Sequence, residues 1–158
     1  MASTKPTYPR LRTKYNIEKI NEIGKPMAEG MADVLAYLHA SGRQIILATS
    51  ADVSDESQTC GALARGGLDN YFSRIYCFKN THLSKGEALY RHILNDLNIA
   101  ATEALMVGDH FEKDIQIPNS LGMFAVRFNQ KLEETREGKL HVTVHSMGEL
   151  KEFFKSLD

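Results

Sequence analysis

Apolar positions along most of the chain alternate between helical and strand spacing. Residues 27–41 place apolar side chains on one face of a predicted helix, and Gly42 is suited to end it. This face comprises Met27, Met31, Val34, Leu35 and Leu38. Residues 44–48 then form a nearly continuous apolar run, followed by Thr49 and Ser50, which is typical of a buried parallel strand.

The rest of the chain repeats this alternation at short intervals. Strand patterns lie at residues 74–78, 104–107, 123–128 and 141–145, and the last has the alternation of an edge strand. Capping boxes, Ser84 with Glu87 and Ser146 with Glu149, predict two helix starts. Helices are also expected at residues 54–65 and before Gly122, where Pro118 should distort the helix. The order of elements predicts an α/β fold with a mainly parallel sheet.

The first 25 residues do not share this periodicity. They contain Pro6, Pro9 and several charges, and we interpret them as an N-terminal arm, a linker or the remnant of something larger. Residues 26–158 are long enough for one core, so we predict a single α/β domain there.

Composition narrows the class of protein without identifying it. Of 158 residues, 42% are hydrophobic and 25% charged, with a net charge of −1, so we expect no nucleic-acid or membrane partner. No apolar stretch approaches the roughly 20 residues that span a bilayer, and the basic N-terminus has no signal-peptide core. Two cysteines, Cys60 and Cys77, without motif spacing favour a reduced, cytoplasmic protein.

Candidate chemistry lies at the carboxyl ends of the predicted strands, where ligands bind in open parallel sheets. Thr49 or Ser50 could hold a phosphate by hydrogen bonds and Lys85 by its charge. Asp109 and Asp114 offer carboxylate oxygens that suit Mg²⁺. Each residue also has an ordinary alternative, since hydroxyls cap turns, Gly-Asp pairs form turns and helical lysines are usually solvated.

Taken in order, these motifs resemble the haloacid dehalogenase (HAD) superfamily. The match rests on a strand ending in Thr49-Ser50, on Lys85 in SKGE and on MVGDHFEKDI around Asp109. Lys85 lies 36 residues after Thr49, and Asp109 lies 24 residues after Lys85, as in that family. The flanking stretches KPMAEGMADVLAYLHASGRQIILATS and HVTVHSMGELKEFF are similar too, so the resemblance runs from about Pro26 to Leu157.

The resemblance implies a fold and roles for these residues. The fold would be a Rossmann-like three-layer sandwich, and the activity that of a phosphatase-type hydrolase dependent on Mg²⁺. Thr49, with Ser50 beside it, would bind the phosphoryl group, and Lys85 would neutralise its charge. Asp109 and Asp114 would hold Mg²⁺, and Gly108 would let the backbone approach closely.

The family's first motif, Asp-x-Asp at the end of a strand, is absent. The first aspartate in the sequence is Asp33, which lies inside a predicted helix. Since the first aspartate of that motif is the nucleophile, no catalytic residue can be assigned. We therefore expect an inactive or impaired phosphatase-type core. The alternatives are a non-catalytic phosphate- and metal-binding or regulatory module, or a truncated product that needs a missing N-terminal segment.

The same loss would remove the first central strand of the sheet. The family's usual cap domain is also absent, apart from a remnant that residues 10–25 could form. The flanking strands could close on each other, residues 8–20 could insert, or a second copy could donate a strand. The expected partners are thus a phosphorylated small molecule or phosphate ion, and a homo-oligomer or strand-donating protein.

Overall fold

The computed structural model describes residues 25–48, 64, 66–129 and 138–158, with side chains from residue 30 onward in the first of these ranges. Thr49, Ser50 and most of the predicted helix at 54–65 lie outside these residues. The predicted arm lies outside them up to residue 24, so the division into an arm and a core stays a prediction.

Five strands and five α-helices account for most of the described chain. The helices are α1 (Lys25–Ala40), α2 (Phe78–Thr81), α3 (Glu87–Asp96), α4 (Ile117–Ser120) and α5 (Met147–Leu157). The strands are β1 (Ile46–Ala48), β2 (Arg74–Tyr76), β3 (Leu105–Gly108), β4 (Phe124–Phe128) and β5 (His141–Val144). A π-helix spans Phe111–Gln116. Short 3₁₀ turns lie at Asp69–Tyr71 and Ala101–Glu103.

The strands form two separate parallel sheets, β1-β2 and β3-β4-β5. In the first, Ile46 lies opposite Arg74; in the second, Gly108 lies opposite Arg127. The predicted α/β class with parallel strands is therefore confirmed, and β5 is an edge strand of the described sheet, as its alternating pattern predicts. However, β1 and β3 do not pair, so the flanking strands have not closed on each other.

Helices cover both faces of the two sheets and make three layers. On one face, α1 and α5 share a buried cluster with side chains of both sheets, including Leu47 and Leu105. On the other face, α3 packs Leu89 and Ile93 against β1 and β2, and Tyr90 against β3 and β4. Because α3 packs against both sheets, the two sheets share one core although no described strand of one is hydrogen-bonded to a described strand of the other.

The two predicted capping boxes had different outcomes. Ser146 does begin α5, since its hydroxyl accepts a hydrogen bond from the Glu149 backbone N–H at 3.1 Å. The prediction for Ser84 is wrong, because α3 begins at Glu87 and its N-cap is Gly86. Extended backbone at Gly86 separates Lys85 from the helix.

None of the helices within the described residues is both long and apolar enough to cross a membrane.

Candidate functional site

The site begins where β3 leaves the sheet. All four residues of β3 are buried, whereas the next residue, Asp109, is half-buried. Gly108 allows the following turn to fold back on the strand, because a Cβ atom there would lie only 2.6 Å from the Cβ of Asp114. A larger residue at position 108 would displace the Asp114 side chain. The group that the backbone approaches closely at Gly108 is therefore Asp114.

Asp114 is the most enclosed charged group of the site. Its side chain has no exposed surface, and its Oδ1 lies 2.7 Å from the Nζ of Lys85, which is 3% exposed. Its other oxygen, Oδ2, accepts a hydrogen bond from the His110 backbone N–H at 3.0 Å. Lys85 is therefore a buried ion-pair partner and not a solvated surface lysine.

A π-helix places Asp114 in this position. Its first turn is capped by His110, whose Nδ1 accepts from the Lys113 backbone N–H at 3.1 Å, while the His110 carbonyl accepts from the Asp114 N–H at 2.8 Å. Wide turns of this kind are rare and are frequently found at functional sites. The chain continues as α4, which has Pro118 in its first turn, so the predicted distortion of this helix is present.

Tyr90 is a residue of the site that the sequence patterns did not identify. Its hydroxyl donates to the Lys113 carbonyl at 2.7 Å and lies 3.4 Å from Oδ1 of Asp114. Burial and the charge of Asp114 raise the pKa of Tyr90, so its hydroxyl stays a donor. The sequence signal for this role of Tyr90 is a phenol among the apolar positions of α3, close in sequence to Lys85.

The other side of the turn is held by stacking contacts. The ring of Phe111 lies 5.4 Å from the guanidinium of Arg127 on β4 and 5.9 Å from the ring of His141 on β5. Neither contact could be predicted from the sequence, because both depend on which strands lie next to each other in the sheet. Together they fix the turn that carries Asp109 against the second sheet.

The structure thus brings together three of the predicted residues, Lys85, Gly108 and Asp114, with Asp109 adjacent in the chain. Thr49 and Ser50 lie outside the described residues, directly after the end of β1. Their predicted role in phosphate binding stays a prediction, as do the ligand roles of the two aspartates.

The residues of the site are suited to a Mg²⁺ ion that has few protein ligands. Mg²⁺ commonly takes one or two carboxylates and completes its octahedron with water and phosphate oxygens. Asp109 has the exposure for direct contact, whereas both oxygens of Asp114 already have protein partners. Among the described residues no three His, Cys, Asp or Glu side chains form a metal-binding group, so water and phosphate would supply most ligands.

The sequence as a whole matches a known family. The profile of the Haloacid dehalogenase-like hydrolase family matches residues 2–128, which include Lys85, Asp109 and Asp114. The chain therefore belongs to this family. Comparison with curated protein sequences finds no significant match.

Solved structures confirm the fold. A protein of Listeria monocytogenes serotype 4b superposes with a TM-score of 0.71 at 20% identity, over 93% of this chain and 98% of that one. The core domain of a proposed phosphoglycolate phosphatase of Streptococcus pneumoniae TIGR4 gives 0.68 at 13% identity, over 93% and 96%. The proposed HAD-hydrolase YfnB of Bacillus subtilis, bound to magnesium, gives 0.68 at 16% identity; this chain covers 55% of its length.

Proposed function

We propose that this chain is a phosphatase-type core that binds Mg²⁺ and a phosphate group but does not turn over a phosphate ester by itself. The observation that carries the proposal is the buried Lys85–Asp114 pair beside Asp109 at the carboxyl end of β3. A buried ion pair is costly to form. Its presence at the end of a sheet therefore favours a functional role over a purely structural one.

Each residue would have a distinct task. Asp109 would contact Mg²⁺ directly, and Asp114 would act mainly by holding the Lys85 ammonium in one position. Lys85 would neutralise negative charge on the bound phosphate, together with hydroxyls from Thr49 and Ser50. A bound Mg²⁺ would neutralise charge on the phosphate oxygens and orient them.

The lack of turnover follows from the missing nucleophile. Asp33, the first aspartate of the chain, lies on the exposed side of α1, and its carboxylate pairs with the Lys151 ammonium at 2.9 Å. It therefore belongs to the contact between α1 and α5 and not to the strand ends. Loss of a nucleophile that acts together with other groups removes nearly all of their catalysis.

Ligand-dependent thermal stability tests the binding half of the proposal. A ligand at 100 times its Kd stabilises a fold by about 2.7 kcal/mol, which is about 5 to 11 °C in Tm for a chain of this size. We expect Mg²⁺ to raise the Tm of the natural chain and inorganic phosphate to raise it further. Asp109→Asn should abolish the response to Mg²⁺.

The matched control is Asp69→Asn, at an exposed aspartate on a 3₁₀ turn. It should keep the full response to both ligands. A natural chain that responds to neither ligand would contradict the proposal and favour a truncated product without a formed site. A response that Asp109→Asn leaves unchanged would place the metal elsewhere.

A further inference from the structure

His110 is an exposed residue between Asp109 and the π-helix, and its backbone is held from both sides. Its N–H donates to Oδ2 of Asp114 at 3.0 Å, and its carbonyl accepts from the Asp114 N–H at 2.8 Å. The same carboxylate pairs with the Lys85 ammonium at 2.7 Å. One carboxylate therefore joins the backbone of His110 to the cation that the proposed function assigns to the phosphate.

One ring nitrogen of His110 already has a role within the fold. Nδ1 accepts a hydrogen bond from the Lys113 N–H at 3.1 Å and so caps the first turn of the π-helix. A ring nitrogen that accepts a hydrogen bond carries no proton, so the proton of the neutral imidazole must be on Nε2. The cap therefore selects the Nε2–H tautomer and holds the ring in one orientation.

The other ring nitrogen, Nε2, is left to a ligand. It lies on the far side of the ring from the capped turn, and no described residue accepts a hydrogen bond from it. The Lys113 and Asp114 N–H groups are used within the turn itself. The donor that the turn can present beside Asp109 is therefore the imidazole N–H rather than these backbone groups.

We propose that His110 is a phosphate-binding residue whose Nε2–H donates to a phosphate oxygen once Mg²⁺ and phosphate occupy the site. The proposal rests on the proposed function, because it needs a phosphate beside Asp109. A phosphate group offers several strong acceptor oxygens, more than Mg²⁺ and the Lys85 ammonium alone would satisfy. A donor held rigidly in one tautomer suits one of the remaining oxygens.

Asparagine at position 110 separates the two ring nitrogens. His110→Asn keeps an acceptor near the position of Nδ1, and asparagine is a favoured N-cap residue, but the donor at Nε2 is lost. The Tm without ligand should therefore stay close to that of the natural chain. Binding of inorganic phosphate in saturating Mg²⁺, measured by titration calorimetry, should weaken by about tenfold or more, as expected for the loss of a hydrogen bond to a charged group.

Glutamine at the same position is the reciprocal change. His110→Gln keeps an N–H donor near the position of Nε2 but lacks the cap. Its Tm should fall by about 2 to 6 °C, while it should bind phosphate more tightly than His110→Asn does. A loss of phosphate affinity that follows the fall in Tm in both variants would assign His110 a structural role only and would overturn the inference.

The matched control is His39→Asn, at an exposed histidine near the end of α1 and before β1, far from the carboxyl ends of the strands. It should keep the phosphate affinity of the natural chain. Equal weakening by His39→Asn and His110→Asn would show an effect of histidine removal in general and would refute a contact at Nε2.

Long-range ¹H–¹⁵N NMR spectra of the histidine rings test the tautomer directly. Without ligand, His110 should show the Nε2–H form, and phosphate with Mg²⁺ should shift its Nε2 resonance more than its Nδ1 resonance. An Nδ1–H form, or an Nε2 resonance unmoved by saturating phosphate, would overturn the inference. A natural chain that binds no phosphate would overturn the proposed function as well, whereas binding that His110→Asn does not weaken would overturn this inference alone.

Discussion

Replacement of Lys85 by methionine would remove one partner of the buried ion pair and leave the other in place. Methionine keeps the length and most of the apolar stem of lysine. The Asp114 carboxylate would keep its hydrogen bond from the His110 N–H and its contact with Tyr90, but it would lose the opposite charge at 2.7 Å. Because Asp114 has no exposed surface, water cannot replace the ammonium.

The expected cost of Lys85→Met follows from this burial. Breaking a buried pair by removing one partner typically costs about 3 to 5 kcal/mol. That is a large fraction of the 5 to 15 kcal/mol by which whole domains are stable. For a chain of this size it corresponds to a fall in Tm of about 6 to 20 °C.

Urea denaturation of a double-mutant cycle measures this cost. The cycle consists of Lys85→Met, Asp114→Asn and the variant with both changes. The double variant should lose less than the sum of the single losses by more than 1 kcal/mol, because it contains no uncompensated charge. Lys113→Met, at an exposed lysine of the same turn, is the control and should stay within about 0.5 kcal/mol. A small loss for Lys85→Met, or additive losses, would refute a tightly coupled pair.

Two further changes probe the contacts around the pair, and a third probes the cluster of Arg74, Tyr76 and Asp96. Gly108→Ala should displace Asp114, lower stability by about 1 to 3 kcal/mol in urea denaturation and abolish the Mg²⁺-dependent rise in Tm. Tyr90→Phe should cost about 1 to 3 kcal/mol by the same measurement, because it leaves a buried carbonyl without its donor. Tyr76→Phe should raise the pKa of Asp96 towards its usual value, followed by NMR titration, because the Tyr76 hydroxyl and then Arg74 hold that pKa low.

One control accompanies the change at Gly108. Gly86→Ala adds a methyl group where nothing lies within 4 Å, so it should leave both stability and the Mg²⁺ response nearly unchanged. If Gly86→Ala and Gly108→Ala behave alike, crowding against Asp114 is not the cause.

The pH dependence of the cluster of Arg74, Tyr76 and Asp96 has a definite sign. Burial and then the hydrogen bond to Asp96 raise the pKa of Tyr76 to about 12, so its contribution to stability is complete below pH 10 and is lost as pH rises towards 12. The pKa of Asp96 is lowered, so the contribution of Asp96 is lost as pH falls through the acidic range.

The positions of β1 and β3 could be predicted from the sequence because burial on both faces makes these strands almost continuously apolar. The five predicted segments overlap all five strands, and the main error is at Cys77 and Phe78, where the chain turns into α2. The Cys77 N–H there donates to Oδ1 of the Asn80 side chain at 2.9 Å and not to a neighbouring strand. A local side-chain contact thus overrides an apolar pattern that continues for two more residues.

Site residues could be predicted where they stand in a recognisable sequence motif. They could not be predicted where only the folded backbone brings a side chain into the site. Lys85 and Asp114 stand in motifs, but their direct contact depends on a π-helix that no periodicity reveals. Tyr90 has the spacing of a core residue, and only its hydroxyl partners show its place in the site. The loss of the first strand, which the absent Asp-x-Asp motif implies, stays a prediction, because residues 1–24 lie outside the described residues.

Hydrolysis of p-nitrophenyl phosphate in saturating Mg²⁺ tests the central claim most directly. The natural chain and Asp109→Asn are compared in parallel, so that any contaminating phosphatase appears equally in both. We expect the natural chain to release nitrophenol no faster than the variant, even when Mg²⁺ stabilises its fold. Hydrolysis by the natural chain that Asp109→Asn abolishes would contradict the account and would require a nucleophile other than the missing aspartate.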